Sequence, residues 1–174
     1  MEKSSPIRIL IADDHSVVRE GLVALINRRP DMLVVAEASD GRETVAEFLR
    51  HRPDVALVDL RMPEMDGAEA IAAVRERVPS ARMIVLTTYD DEEDILRSFR
   101  AGAKAYMLKD ATREELLACI HAVHEGGTLM PPTIAAKLNA STLASPGIKV
   151  LRPVADRRPN KGIVALVPIT EGAA

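Results

Sequence analysis

The chain has 174 residues, of which 47% are hydrophobic, 28% are charged and 2% are aromatic, and its formal net charge is −3. This composition is typical of one globular domain with a short appendage and argues against disorder. With no Trp and few other aromatic side chains, the chain is not expected to stack single-stranded nucleic-acid bases. Cys119, the single cysteine, excludes an internal disulfide, and no apolar run near the start is long enough for a signal or membrane segment. We therefore expect a cytoplasmic protein without a membrane role.

Five short apolar runs alternate with segments of helical periodicity. The runs are residues 7–12, 33–36, 55–58, 83–86 and 105–108, and each is too continuous to have a solvent-facing side. Strands buried on both faces indicate a parallel sheet with helices on each side, so the sequence predicts an α/β, doubly wound, five-stranded parallel sheet. Apolar residues at helical spacing follow each run: Val18, Leu22, Leu25 and Ile26; Val45, Phe48 and Leu49; Ile71, Val74 and Val78; Ile95, Leu96 and Phe99; Leu116, Leu117, Ile120 and Val123.

Polar residues follow four of the five runs. In open α/β sheets the functional crevice lies beyond the carboxyl ends of the strands, so these side chains are expected to converge. Three carboxylates brought together repel one another unless a cation neutralises them, and Mg²⁺ suits such a set because it prefers oxygen ligands. A carboxylate can also attack phosphorus and hold the group as an acyl phosphate. The converging residues are Asp13 and Asp14 after the first run, Asp59 after the third, Thr87 and Thr88 after the fourth, and Lys109 after the fifth.

The motifs around these residues resemble those of a known family. The Asp13-Asp14 pair, Asp59 in VDLRMPEMDG, Thr87 in VLTTYDDEED and Lys109 in GAKAYMLKD are similar to the pattern of response-regulator receiver domains of two-component systems. The resemblance spans residues 7 to about 124 and implies a flavodoxin-like strand order of 2-1-3-4-5. It also implies a signalling protein that accepts a phosphoryl group, rather than a turnover enzyme.

The resemblance assigns a role to each residue. It implies that Asp59 is the phosphoacceptor, and that Asp14, Asp59, the nearby Asp13 and the backbone carbonyl of Arg61 hold Mg²⁺. Thr87 and Lys109 would contact the phosphoryl group. Tyr106 would be the aromatic switch residue, which turns inward when Thr87 is drawn toward the phosphate.

Simpler readings of the same residues remain open at this point. Asp14 or Ser16 could cap the first helix, and Lys109 alone could be a solvated surface charge. Tyr106 could be an ordinary packed aromatic, a role that is compatible with switching. A metal-dependent phosphatase with an aspartyl nucleophile is another candidate, but such enzymes need a carboxylate two residues later, where this chain has Arg61.

The last part of the chain has a different character. Residues 126–145 are predicted to be a linker with a short helix at residues 133–139, and residues 146–174 carry five basic and two acidic residues. The tail is similar to the start of a LuxR-type (NarL-like) helix-turn-helix domain, in which Thr170 would precede the recognition helix. Because that helix would be missing from the chain as written, we expect a truncated remnant and no sequence-specific reading of DNA. The predicted receiver then occupies residues 1–125.

Two function classes follow. The chain is either a receiver module that acts through protein partners, or a phosphorylation-regulated transcription factor of the kind that this resemblance implies. In both, a sensor histidine kinase is the expected phosphodonor, and phosphorylation is expected to change homodimerisation or partner choice. The sequence leaves open whether the last receiver helix, with Leu116, Cys119 and Ile120, offers a dimer face or packs inward.

Overall fold

The computed structural model describes residues 4–142, 148–150 and 167–171. Five β-α units follow one another along the first 124 residues. They are β1 (Ile7–Ala12), α1 (Ser16–Asn27), β2 (Met32–Ala38), α2 (Gly41–His51), β3 (Val55–Val58), α3 (Gly67–Arg77), β4 (Met83–Thr87), α4 (Glu92–Ala101), β5 (Ala105–Leu108) and α5 (Arg113–His124). After them come β6 (Thr128–Met130), α6 (Pro132–Thr142), β7 (Ile148–Val150) and β8 (Val167–Glu171).

The strands form one sheet in the order β2-β1-β3-β4-β5-β6-β8-β7. The first six strands are parallel, while β8 pairs antiparallel with both β6 and β7. The predicted α/β class and the predicted order of the first five strands are confirmed. The predicted number of parallel strands is wrong, because the structure has six.

The sixth parallel strand, β6, lies in the segment that the sequence predicted to be a linker. It has only three residues, between Gly127 and Pro131, and its described pairing with β5 joins Ala105 and Leu129. A run this short carries no usable periodicity, and the neighbouring Gly and Pro are typical of a loop. The helix predicted over residues 133–139 is part of α6, which extends from Pro132 to Thr142.

Two apolar layers pack on opposite faces of the sheet. Successive β1 side chains point to opposite faces, so Leu10 and Ala12 join one layer, and Ile9 and Ile11 join the other. Helices α2, α3, α4 and α6 cover the first layer, and helices α1 and α5 cover the second. This arrangement explains why β1, β3, β4 and β5 have almost no polar residue within the strand.

Helix α5 packs inward, which answers the question that the sequence left open. Leu116, Cys119 and Ile120 are at most 5% exposed and lie in the layer beneath α1 and α5. Burial raises the pKa of the Cys119 thiol to about 12, so this side chain is a neutral core residue. These three residues therefore do not form a dimer face.

Two further sequence predictions concern the end of the chain and the membrane. Most of the segment predicted to be a helix-turn-helix remnant, residues 146–174, lies outside the described residues, and its described parts are the strands β7 and β8. Over the described ranges, no helix has both the length and the apolar character needed to cross a lipid bilayer.

The loop between β3 and α3 is held close to the end of β3. Asp66 caps α3 through a reciprocal pair of hydrogen bonds with Glu69, and the backbone N–H of Gly67 donates to the Leu60 carbonyl at 2.8 Å. A Cβ atom at Gly67 would lie 2.2 Å from the Asp59 carbonyl oxygen and 2.9 Å from the Leu60 Cα. Only glycine therefore fits where the helix starts beneath Asp59.

We expect Gly67→Ala to lower the free energy of unfolding by roughly 1–3 kcal/mol, because the new methyl group meets backbone that cannot easily move. Gly21→Ala is the matched control, since a Cβ there meets nothing within 4 Å and the position is an exposed helix interior. It should raise the stability by about 0.5–1 kcal/mol. Urea unfolding of both variants measures the difference, and equal stability of Gly67→Ala and the wild type would contradict the close approach.

Candidate functional site

Acidic side chains from two strand ends meet at the carboxyl edge of the sheet. Asp13 and Asp14 follow β1, and Asp59 follows β3, next to β1 in the sheet. One ligand atom from each of these carboxylates, together with a ring nitrogen of His15, lies within 4.8 Å of the others. Asp13 and Asp59 are 2% and 4% exposed, whereas Asp14 is at the surface. The predicted convergence of the three carboxylates is therefore present in the structure.

Lys109 brings the fifth strand to the same place. Its Nζ lies 2.8 Å from Asp13 Oδ2 and 3.0 Å from Asp59 Oδ2, so one ammonium group bridges two nearly buried carboxylates. The backbone positions this side chain, because the Lys109 N–H donates to the Thr87 carbonyl at 2.8 Å and continues the pairing of β4 with β5. The reading of Lys109 as a solvated surface charge is wrong, since its side chain is 15% exposed and paired.

Burial and pairing act in opposite directions on the charges of this cluster. Burial raises the pKa of the Asp59 carboxyl, and although the Lys109 hydrogen bond lowers it, the net direction is upward. Burial lowers the pKa of Lys109, but hydrogen bonds to Asp13 and Asp59 outweigh it and the net direction is upward. Lys109 is thus firmly charged, whereas Asp59 carries its charge at an energetic disadvantage that a second cation would relieve.

The donor set suits a hard divalent cation. Asp13, Asp14 and Asp59 offer carboxylate oxygens, and one ammonium group leaves the three negative charges incompletely compensated. Oxygen ligands of this kind are the ones that Mg²⁺ prefers, with water completing its coordination. The residues present therefore fit a magnesium ion, and the cluster could hold one.

Thr87 and Tyr106 are both buried but are not paired directly: Thr87 lies opposite Leu108, and Tyr106 lies opposite Val85. They are on the neighbouring strands β4 and β5, and both are 0% exposed. The Thr87 hydroxyl accepts a long hydrogen bond from the Tyr89 N–H at 3.4 Å, and the Tyr106 hydroxyl donates to the Tyr89 carbonyl. Burial, followed by nearby acidic residues, raises the pKa of Tyr106, so its hydroxyl remains a donor. Tyr89 thus connects the two side chains through its backbone.

Arg61 extends away from the carboxylates toward α4. Its guanidinium group lies 2.9 Å from Asp94 Oδ2 and 4.7 Å from the centre of the Tyr89 ring. These contacts join the loop after Asp59 to the start of α4. These two side-chain contacts of Arg61 were not predicted from the sequence, because neither partner is near Arg61 in the chain. The role of the carbonyl as a metal ligand stays a prediction.

The first helix does not start as one alternative for the aspartate pair predicted, with Asp14 or Ser16 as its cap. Neither Asp14 nor Ser16 is the N-cap of α1; this position is His15, and it makes no side-chain capping bond. His15 was not among the residues singled out from the sequence. Its ring nitrogen lies 3.0 Å from Asp14 Oδ1 and 3.3 Å from Asp13 Oδ1. The available signal was its position directly after the two aspartates.

Known proteins share both the sequence pattern and the fold. The chain is 40% identical over 136 residues to the uncharacterized transcriptional regulatory protein YxjL of Bacillus subtilis, covering 78% of this chain and 62% of that protein. It is 43% identical over 123 residues to the oxygen regulatory protein NreC of Staphylococcus haemolyticus, covering 70% and 57%. It is 34% identical over 184 aligned positions to the nitrate/nitrite response regulator NarL of Escherichia coli, covering 98% and 85%. The chain thus spans about three fifths of the length of YxjL and NreC.

Two solved structures show the same likeness. The receiver domain of the response regulator NarL from Mycobacterium tuberculosis superposes with a TM-score of 0.68 at 35% identity, over 70% of this chain and 98% of that one. A LuxR-family response regulator from Aurantimonas gives a TM-score of 0.70 at 36% identity, over 80% and 100%. Residues 9–121, well over half of the chain, match the family model of the response regulator receiver domain. The chain therefore belongs to the response regulator receiver family.

Proposed function

We propose that this chain is a two-component response regulator that accepts a phosphoryl group on Asp59 with the help of Mg²⁺. The observation that carries the proposal is the bridge from Lys109 to Asp59 and Asp13 at the carboxyl edge of the sheet, with Asp14 beside it. In this arrangement a carboxylate nucleophile, a fixed cation and a set of metal-binding oxygens surround one point. A sensor histidine kinase is the proposed donor, and the cytoplasm is the proposed location.

The chemistry needs positioning and charge compensation more than acid or base catalysis. An Asp59 oxygen attacks the donor phosphorus, the new O–P bond forms, and the bond to the donor atom breaks with its electron pair leaving on the donor. When bound by Asp13, Asp14, Asp59 and the Arg61 carbonyl, Mg²⁺ supplies neutralisation of the phosphoryl charge. Lys109 and the Thr87 hydroxyl contribute to the same neutralisation from the other strands. No separate base is required, because the attacking carboxylate carries no proton.

The phosphoryl group would change the structure through Thr87. Among the described residues, the recorded hydrogen bond of the Thr87 hydroxyl is a long one from the Tyr89 N–H, so a phosphoryl oxygen would be a stronger partner for it. Moving Thr87 alters the loop whose carbonyl accepts the hydrogen bond from Tyr106. We assign Thr87 and Tyr106 as the switch pair on this basis.

The output of the switch would pass through α4. Helix α6 packs on this helix, with Ile134 and Ala135 buried in the same layer as Ile95 and Tyr106. We propose a receiver at residues 1–125, a connecting segment at residues 126–145 that includes β6 and α6, and a helix-turn-helix remnant at residues 146–174. Phosphorylation would alter the α4–α6 contact and with it homodimerisation or partner choice.

Transcriptional control is the second candidate function. Its support is the description of relatives such as YxjL and NarL as a transcriptional regulatory protein and a response regulator. A mobility-shift measurement with and without phosphorylation separates it from action through protein partners alone. A phosphatase activity has less support, because Arg61 occupies the position of the required carboxylate and pairs with Asp94.

Incubation with acetyl phosphate and Mg²⁺ should add one phosphoryl group to the wild type, and intact-mass measurement detects it. Asp59→Asn should stay unmodified, because an amide oxygen cannot form the acyl phosphate. Asp110→Asn is the matched control, since Asp110 is exposed, lies next to Lys109 and undergoes the same change of charge. Phosphorylation of Asp59→Asn to the wild-type level would refute the assignment of Asp59 as the phosphoacceptor.

Asp59→Asn should also raise the Tm at neutral pH in EDTA, because it removes a buried negative charge. The rise should be about 2–4 °C if burying that charge costs ~1 kcal/mol. The pKa of Asp59 in the folded state is raised above the ordinary value of 3.8. Ionisation of Asp59 therefore lowers the stability of the fold as the pH rises from 3.8 through the folded-state pKa, and the full loss is reached above it. Below 3.8 both states are protonated and the difference from the wild type should vanish. Excess Mg²⁺ should raise the Tm of the wild type more than that of the variant. A lower Tm for Asp59→Asn at neutral pH would contradict this electrostatic account.

Beryllofluoride with Mg²⁺ should change the near-ultraviolet circular dichroism of the tyrosines in the wild type. Thr87→Val keeps the side-chain shape and removes the hydroxyl, so it should bind the phosphate mimic and show at most a small part of the change. Tyr106→Phe identifies how much of the signal comes from Tyr106 and how much from Tyr89. A full change in Thr87→Val would show that the switch does not pass through this hydroxyl.

A further inference from the structure

Arg19 on the first turn of α1 makes two polar contacts beside the acidic cluster. Its Nη1 donates to the Asp13 backbone carbonyl at 2.7 Å, and its Nε lies 3.2 Å from Glu37 Oε1 near the end of β2. The Arg19 side chain is only 20% exposed, while Glu37 is 47% exposed. Arg19 therefore joins α1, the β1–α1 loop and β2, yet it contributes no ligand atom to the cluster.

The carbonyl that Arg19 contacts completes the anchoring of Asp13. The Asp13 N–H donates to the Ala38 carbonyl at 3.0 Å, one carboxylate oxygen accepts from the His15 N–H at 2.9 Å, and the other contacts Lys109. With the carbonyl also bound, every polar group of Asp13 has a partner. The guanidinium contact ties the backbone of this loop to a side chain of α1.

The same contact restrains the backbone from which Asp14 extends. The Asp13 carbonyl and the Asp14 N–H belong to one planar peptide group, so holding the oxygen fixes the plane from which Asp14 departs. The Asp14 side chain is 30% exposed, and within the described part of the chain its recorded ion pair is with His15. The backbone restraint from Arg19 and the contact with His15 therefore both bear on the position of the Asp14 carboxylate.

We propose that Arg19 is a positioning residue for the metal-binding carboxylates, and that Glu37 orients its guanidinium group. This inference rests on the proposed magnesium site and adds to it a residue that touches neither metal nor phosphoryl group. Residues that orient metal ligands typically change metal affinity 10- to 100-fold when they are replaced. The expected effect of losing Arg19 is therefore weaker binding of Mg²⁺.

If only the charge of Arg19 mattered, its removal would change the Kd for Mg²⁺ in the opposite direction. Arg19 is a positive charge beside a cation site, so removing it reduces repulsion and should tighten the binding of Mg²⁺ if charge alone matters. Loss of positioning should weaken the binding. The sign of the change therefore separates the two effects.

The experiment is calorimetric titration of the full chain with Mg²⁺, comparing the wild type with Arg19→Gln and Arg28→Gln. Arg28 is exposed at the other end of α1 and gives the same change of net charge. We expect the Kd for Mg²⁺ to rise about tenfold or more in Arg19→Gln and to change less than about twofold in Arg28→Gln. An unchanged or lower Kd in Arg19→Gln overturns the proposal, and so does an equal rise in both variants.

Unfolding in EDTA shows whether a variant is folded before metal is added. If Arg19→Gln does not fold, Arg19→Lys carries the test, because it keeps the charge but lacks the planar fork that reaches the Asp13 carbonyl and Glu37 together. Its Kd should rise while its Tm in EDTA stays near that of the wild type, and an unchanged Kd overturns the proposal. A wild type that neither binds Mg²⁺ nor accepts phosphate from acetyl phosphate refutes the proposed function itself. If the wild type binds Mg²⁺ and accepts phosphate, but the Arg19 variants have the wild-type Kd for Mg²⁺, only the role of Arg19 is refuted.

Discussion

The central constraint on this molecule is that acidic groups and one ammonium group share a nearly buried corner of the sheet. Lys109 reaches Asp13 and Asp59 from the opposite side of β4, so three strand ends must keep their register for the pairs to exist. One cation does not compensate three carboxylates. Burial is the main cause of the raised pKa of Asp59, and the neighbouring Asp13 and Asp14 carboxylates raise it further. A bound cation would stabilise these charges, which suits the proposed phosphoryl-accepting site.

The elements behind the site connect it with the face of the sheet covered by α4 and α6. The backbone of Tyr89, in the loop before α4, is hydrogen-bonded to the side chains of Thr87 and Tyr106. Arg61 provides a second connection through Asp94. Helix α6 lies on α4, where Lys137 forms an ion pair with Glu92. These contacts are the two routes by which the proposed switch would reach α4, the helix on which α6 packs.

The β1–α1 loop shows how a ligand set can depend on residues outside it. The backbone of Asp13 is bound by Ala38 and Arg19, and its side chain by His15 and Lys109. Together these bonds restrain Asp13 beside Asp59. Because nearby carboxylates repel one another, such restraints favour the site when no cation is bound.

The sequence by itself determined the alternating α/β pattern, the order in which the strands deliver Asp13, Asp14, Asp59, Thr87 and Lys109, and the family resemblance, because continuous apolar runs and strand-end residues are local features. It did not determine β6, whose three residues are too short for a periodic signal, or the contacts of His15, Arg61 and Arg19. Contacts such as Arg61 with Asp94 or Arg19 with Glu37 join residues far apart in the chain, and only packing of the helices on the sheet brings them together. The tertiary structure also decided that Leu116, Cys119 and Ile120 face the core, since burying an apolar stripe against a sheet is favourable only where the sheet presents a matching surface.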